Sequence, residues 1–423
     1  MSKNIIRYSG DNVQKKVKIL IIIFIIIFLI ISIFVYLKNR EKIKVQQEAK
    51  EKEIKSHYSN FVKTNKETKL YNCENNEVVG TLGANVETTL KKLKINYVTK
   101  YFIIDEFEEE YCVSYLDVDP IEKLIEKDSR YKLYIPFNEN IITNDKTNFY
   151  NKESNLVYSF NKSYEFPIII KDSDRYYVEF YNQLLYVKKE DVKELKKVNN
   201  SNDVKAKEVS VLCYHAIYDP NSETCNTEIC HTEKQFNDHM SYLNTNNYMT
   251  LKMEEFEMFV DGKINIPKKS VLVTIDDGHM GIRSIPILEK NKTYATMFLI
   301  TSWFSTEHFQ SQYLELHSHS DDLHDPNECP GYGTQGSAIL CKNHDYLVND
   351  LKESRKKLND SRAFCYPFYD YNDHAIKAIK DAGFTIAFTG GRRKAKIGEN
   401  KYKIPRYTIV SYDTVNDLIN IIN

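Results

Sequence analysis

An excess of charge of either sign is what this sequence lacks most plainly. Its 58 lysines and arginines face 59 aspartates and glutamates, a formal net charge of -1 over 423 residues. So balanced a chain carries no large basic field, and nucleic acid is set aside as a partner. Glycine (13) and proline (10) are scarce while lysine, asparagine, isoleucine and tyrosine abound. That balance suggests an AT-rich bacterial genome. Residues 19–37 lack a polar face: only Ser32 and Tyr36 interrupt a run of Ile, Leu, Phe and Val. A buried core helix is thereby disfavoured, and the run is long enough to span a bilayer. No small-x-small cleavage pattern follows it, so an uncleaved anchor is expected in place of a secretion signal. Basic residues flank both ends (Lys15, Lys16, Lys18; Lys38, Arg40, Lys42, Lys44) and leave the positive-inside rule undecided. A short inner tail, residues 1–18, with the large body outside the cell membrane is the expected arrangement.

The length allows two or three domains, each with its own core. Eight cysteines fit an exported protein. Cys73 and Cys112, Cys225 and Cys230, and Cys329 and Cys341 have spacings that permit three disulfides without proving them. Cys213 and Cys365 sit in apolar runs and read as buried thiols. Cys225, Cys230 and His231 lack an evident fourth ligand, so a disulfide is preferred there to zinc.

Residues 38–66 are rich in Lys, Glu and Gln and read as a solvated helical stalk. A repeat follows. Thr68-Lys69-Leu70-Tyr71-Asn72-Cys73-Glu74-Asn75-Asn76-Glu77-Val78 aligns with Thr147-Asn148-Phe149-Tyr150-Asn151-Lys152-Glu153-Ser154-Asn155-Leu156-Val157. Each copy precedes a β-type run (97–104; 166–170) and an aromatic strand (Tyr111-Cys112-Val113; Tyr176-Tyr177-Val178). Short aromatic strands with polar turns predict two small β-barrels, over 67–128 and 129–196. These segments resemble bacterial SH3-like domains, which implies wall binding or simple spacing. After a polar linker, residues 208–423 alternate strands (209–214, 271–275, 294–300, 364–366, 384–388) with helices (233–246, 345–358, 373–382). The fold class expected is α/β, barrel-like, with chemistry at the C-terminal ends of the strands.

Thr274-Ile275-Asp276-Asp277-Gly278 closes one such apolar run. Neighbours on a strand face opposite ways, so two useful carboxylates in a row belong where strand becomes loop. One can hold a metal while the other faces water or substrate. Leu316-His317-Ser318-His319-Ser320-Asp321-Asp322-Leu323-His324 supplies imidazoles. Positions five apart diverge by about 140° on a helix, so His319 and His324 converge only from a turn. An aspartate with two histidines leaves open positions on a cation, as hydrolytic sites do. His317 points away if the segment is extended. Asp321 and Asp322 are either solvated charges or partners orienting a histidine. His279, His308, His344 and His374 read as surface or capping residues.

These motifs, over residues 209–423, resemble the polysaccharide deacetylases, the NodB-like carbohydrate esterases of family 4. The resemblance implies a distorted (β/α) barrel, Asp276 as general base, and Asp277, His319 and His324 as ligands of a divalent metal. Zinc suits this set, with cobalt or nickel as substitutes. The histidine spacing is one longer than the family's usual pattern and is similar to the subgroup acting on poly-N-acetylglucosamine. Cys365-Tyr366-Pro367-Phe368-Tyr369 stands where the family has its Pro-Tyr motif, which makes the Phe368 N–H the implied oxyanion donor. The arginine that often opens that motif is absent, its slot holding Cys365. The family's C-terminal Leu-x-His is absent too, and His215, ending the first strand, is the implied replacement general acid. The activity expected is membrane-anchored, extracellular, metal-dependent N-deacetylation of GlcNAc in peptidoglycan, which would raise lysozyme resistance. The alternatives are a secreted poly-N-acetylglucosamine substrate, or a non-catalytic wall-binding protein that has lost its arginine and histidine.

Overall fold

The computed structural model describes residues 7–57, 60–95, 100–106, 109–199, 204–278 and 280–423. His279 and the start of the 97–104 run lie outside them. By compactness the chain forms two units: residues 1–126 with 154–161, and residues 127–153 with 162–423.

The first unit opens on one helix, Arg7–His57, without interruption. Its stretch Gln14–Lys50 is long and apolar enough to cross a membrane. The stalk helix ends nine residues short of the expected limit. Phe61–Thr64 is instead a strand, antiparallel to both Val118–Ile121 and the start of Glu87–Ile95. The alternation of buried Val62 and Thr64 with half-buried Phe61 and Lys63 is a period-two signal at the tail of a charged run. Thr68–Asn72 and Val78–Leu82 form the hairpin of the first repeat copy, and Leu156–Phe160 adds to Val78–Leu82 with Tyr158 opposite Leu82. Cys73 and Cys112 are disulfide-bonded across this unit.

In the second unit, antiparallel strands between Glu139 and Lys197 precede the α/β domain. Their core is aromatic: Phe149 stacks on Phe180 at 4.3 Å, and Phe166 meets Phe180 edge-on at 5.0 Å. The β module joins the α/β domain through Arg130, whose guanidinium bonds Glu255 and the Thr250 carbonyl. The Tyr134 hydroxyl donates to the same Glu255 carboxylate.

The α/β domain is organised on parallel strands in the order Ile386–Phe388, Ala363–Cys365, Leu314–Ser318, Ala295–Leu299, Ser270–Asp277, Glu208–Tyr214. They are buried on both faces, as continuous Val/Ile/Leu/Phe runs require. The helix Glu233–Thr245 is fixed by a capping box between Thr232 and Gln235 and buries Phe236, Met240 and Leu243. Helices at His344–Lys357 and Asp373–Asp381 stand where the periodicity puts them, the second followed by Gly383 at φ +93°. One connection matters most for the site. Ile404 bridges to Phe388 on the last strand, while Tyr407 and Thr408 pair with Leu212 and Cys213 on the first. Residues 404–408 therefore touch both ends of the strand series.

Candidate active site

Asp276 and Asp277 end the same strand yet face different partners, and the backbone explains how. Asp277 has φ +70° and Gly278 φ +91°, so the alternation of the strand breaks between the two carboxylates. Glycine is required at 278 twice over, by its φ and because a Cβ there would lie 2.4 Å from Leu299 Cδ1.

A second left-handed residue makes the histidine spacing work. His319 leaves the strand Leu314–Ser318, and Ser320 at φ +79° reverses the chain. The Ser318 hydroxyl accepts from the Ser320 N–H, and the Ser320 hydroxyl accepts from the Leu323 N–H. The two imidazoles end 4.6 Å apart. Asp277 Oδ1 lies 3.2 Å from His319 Nε2 and 3.3 Å from His324 Nε2.

These distances decide whether a cation fits. Nδ1 of His319 lies 2.8 Å from the Cys365 carbonyl, which only accepts, so Nδ1 carries the proton. Nε2 of neutral His319 then presents a lone pair to a carboxylate oxygen. Two acceptors face each other, an arrangement that a proton or a cation must bridge. Tetrahedral bonds of about 2.0–2.1 Å place neighbouring ligand atoms about 3.3–3.4 Å apart, close to what is found. Burial works against charge here, yet His319 and His324 hold the Asp277 carboxyl well below the usual carboxylate range. Burial likewise opposes the His319 cation, but the two aspartates raise its pKa above the ordinary value. The donor set fits a divalent metal.

Asp276 is 1 % exposed and is held from below by Arg406, itself fully buried. Arg406 Nη1 donates to Oδ1 and Nη2 to Oδ2, each at 2.7 Å, and Nε donates to the Thr389 carbonyl at 3.1 Å. This fork matches the carboxylate plane, so orientation and charge are fixed together. Burial would raise the Asp276 pKa, but the guanidinium drives it far below the usual range. Arg406 is the residue the sequence reading missed. The arginine absent from the slot of Cys365 arrives from the other end of the domain. Its one sequence signal is a lone charge in the apolar stretch Ile404-Pro405-Arg406-Tyr407-Thr408-Ile409-Val410.

Two buried thiols complete the surroundings of Asp276. Cys365 Sγ lies 3.3 Å and Cys213 Sγ 3.5 Å from Oδ2, and burial pushes both thiols up, which keeps them protonated donors. Asp276 can group with either thiol and a nearby histidine as a possible cation cage. The guanidinium on both carboxylate oxygens argues against a cation there, which leaves Asp277, His319 and His324.

His215 is buried, with Nε2 3.9 Å from Asp276 Oδ2 and Nδ1 without a hydrogen-bond partner. Burial lowers its pKa, against the pull of both aspartates, and favours the neutral imidazole. Phe368 sits in the turn Pro367–Tyr369 at φ +55°, its ring 4.5 Å from that of His324. The turn is anchored by Asp370, which accepts from the Thr334 N–H at 2.7 Å and its hydroxyl at 2.8 Å. Gly333 is needed beside it, since a Cβ there would lie 2.3 Å from Asp370 Oδ2.

The remaining polar candidates have other partners. His317 bonds the Ser361 hydroxyl through Nδ1, and burial takes its pKa down to about 3. Asp321 and Asp322 do not orient a histidine. Asp321 accepts from Thr301 and Lys357, and Asp322 from Ser302. His308 is exposed, His344 pairs with Asp381, and His374 meets the Lys342 carbonyl. Cys225–Cys230 and Cys329–Cys341 are disulfides, so the first pair is no zinc site.

A family model described as polysaccharide deacetylase matches residues 263–387, which include both aspartates, both histidines and Cys365–Tyr369. This stretch of the C-terminal domain is similar to the polysaccharide deacetylases. The chain is 29% identical over 210 residues to a poly-beta-1,6-N-acetyl-D-glucosamine N-deacetylase of Staphylococcus epidermidis, covering 44% of this chain and 70% of that protein. A protein of the same name from Staphylococcus aureus strain MSSA476 is 26% identical over 210 residues, with the same coverage. Among solved structures, a de-N-acetylase from Aggregatibacter actinomycetemcomitans aligns at a TM-score of 0.44 and 23% identity, over 51% of this chain and 99% of that one. IcaB from Ammonifex degensii aligns at 0.43 and 20%, over 52% and 98%.

Proposed function

We propose that the protein is a membrane-anchored, metal-dependent N-deacetylase of a poly-N-acetylglucosamine exopolysaccharide. The observation that carries the chemistry is the convergence of Asp277, His319 and His324 on one point, with Asp276 clamped beside them by Arg406. A divalent cation bound there would supply Lewis-acid polarisation of the acetyl carbonyl and acidify a water. Asp276, ionised by its arginine, takes the proton of the attacking water. The Phe368 N–H is the proposed donor to the developing oxyanion. His215, neutral at rest with Nε2 3.9 Å from Asp276 Oδ2, is proposed to take up the proton that Asp276 removes from the water and to pass it to the leaving amine.

The substrate assignment moves away from peptidoglycan. The curated relatives are poly-beta-1,6-N-acetyl-D-glucosamine N-deacetylases, and the longer histidine spacing points the same way. Peptidoglycan stays as the second reading because β modules, read as SH3-like domains, lie between the apolar helix and the enzyme domain. The helix is proposed as the anchor of an extracellular body, which the three disulfides also suit.

The test is acetate release from soluble β-1,6-linked GlcNAc oligomers and from purified sacculi, with chelator and with restored Zn2+, Co2+ or Ni2+. Oligomer turnover that requires metal and is abolished by Asp276→Asn is the expected result. Turnover of sacculi alone would return the assignment to peptidoglycan. Acetate release indifferent to chelator or to Asp276→Asn would sink the mechanism.

A further inference from the structure

The chain contains one tryptophan, Trp303, and it is 48 % exposed beside the metal-ligand set. Single exposed apolar side chains are ordinary on protein surfaces, so exposure by itself means little. Position and rigidity set this one apart. The indole meets the His324 ring edge-on at 5.7 Å, and the Phe368 ring lies 4.5 Å from the same imidazole. Two aromatic rings therefore contact His324.

The turn that carries Trp303 is stitched to the histidine loop. Thr301 and Ser302 donate their N–H groups to the carbonyls of Ser320 and Asp321, at 3.2 and 3.1 Å. Their hydroxyls donate to the carboxylates of Asp321 and Asp322, at 2.5 and 3.1 Å. Asp350 holds the other side of that loop, accepting the N–H groups of Asp321 and Asp322 at 2.9 and 2.8 Å. Asp321 and Asp322 are thus accounted for: they fasten the Trp303 turn to the segment that bears His319 and His324. Behind the indole, Phe304 packs into the core under Gly278. A broad apolar plane on a pinned support, next to a hydrolytic site, loses little conformational freedom when a ligand covers it.

We infer that Trp303 is the stacking platform for a pyranose ring of the glycan, adjacent to the sugar whose acetyl group is removed. The C–H face of the ring lies on the indole, and the neighbouring sugar projects its N-acetyl group toward Asp277, His319 and His324. Trp303 is thus a substrate-positioning residue that reads polymer over monomer. This rests on the glycan deacetylase reading above, and the experiment separates the two.

The sole tryptophan is its own probe. Full-length protein in detergent, made inactive by Asp276→Asn, is titrated with β-1,6-linked GlcNAc pentamer and with GlcNAc monosaccharide while indole emission is followed. The pentamer is expected to shift the emission saturably, with the monosaccharide at least tenfold weaker. In the active protein, Trp303→Ala is expected to raise KM for the pentamer about tenfold, equivalent to about 1.4 kcal/mol, with kcat changed less than threefold. Trp303→Phe should restore most of the loss. A wild type that deacetylates the pentamer without any emission change in the inactive form, or with KM unmoved in Trp303→Ala, overturns the platform and leaves the deacetylase reading intact. Emission shifts without turnover in the wild type would retain the platform and remove the activity. An unchanged near-ultraviolet circular dichroism spectrum outside the indole bands checks that Trp303→Ala is folded.

Discussion

Replacing Arg406 by methionine isolates the buried fork. Methionine roughly keeps the length and removes the charge, so Asp276 remains in place without its only bidentate partner. Removing one member of a buried ion pair costs about 3–5 kcal/mol, because the other is left uncompensated. At about 1.4 kcal/mol per tenfold, the unfolded fraction of the domain rises roughly two to three and a half orders of magnitude. The pH dependence carries the sign. In the native protein the Asp276 pKa is depressed, so the stability it contributes is present above its unfolded value of about 3.9 and is lost only as pH falls through the lower native value. Without Arg406 the strongest influence lowering that pKa is gone, and burial, opposed by the weaker pull of His319 and His215, moves it upward. The deficit of the variant is then largest at pH 8 and shrinks toward pH 5. Urea unfolding followed by the emission of Trp303, which reports on this domain alone, measures the difference at both pH values. Acetate release should fall at least about tenfold, with the acid limb of the pH–rate profile moved upward. A destabilisation under about 1 kcal/mol at pH 8, together with an unmoved acid limb, would refute the assignment of Arg406 as the clamp.

Three more outcomes follow from the geometry. Asp277→Asn should abolish the tight binding of one divalent cation per chain, measured by equilibrium dialysis with elemental analysis, whereas His317→Ala should leave the stoichiometry unchanged. Replacing Cys329 and Cys341 together by alanine opens a link across 12 residues, a loss of about 3 kcal/mol in the chain-entropy picture. It should also lower kcat, because Thr334 within that loop holds Asp370 next to the Phe368 turn. Gly278→Ala forces a Cβ against Leu299 at a left-handed position, and urea unfolding is expected to show a stability lower by roughly 1–3 kcal/mol.

Much of the α/β domain was legible because its strands are buried on both faces and read as unbroken apolar runs. The helix 233–246 was legible through its apolar face of Phe236, Met240 and Leu243. Three short helices were not. Ser284–Asn291 carries Pro286, which looks like a breaker but sits in the first turn, where N–H groups lack partners anyway. Met253–Val260 and Val415–Ile422 span only eight residues each, too few for a secure period. Of the site, the aspartate pair and the convergence of His319 with His324 followed from local arguments about strand ends and turns. Arg406 did not, since nothing local joins residue 406 to residue 276. Only the pairing of residues 404–408 with both ends of the strand series brings the guanidinium under the carboxylate. The two serines that cap the histidine turn, and the role of Asp321 and Asp322 in bracing a neighbouring loop, were also beyond reach of pattern.

That late-arriving arginine has a temporal meaning. Residues 213, 276, 319 and 365 all leave the ribosome before residue 406 does. Until that last stretch pairs with the first strand, Asp276 lacks its guanidinium fork, so the geometry around the carboxylate is completed only by the C-terminal residues.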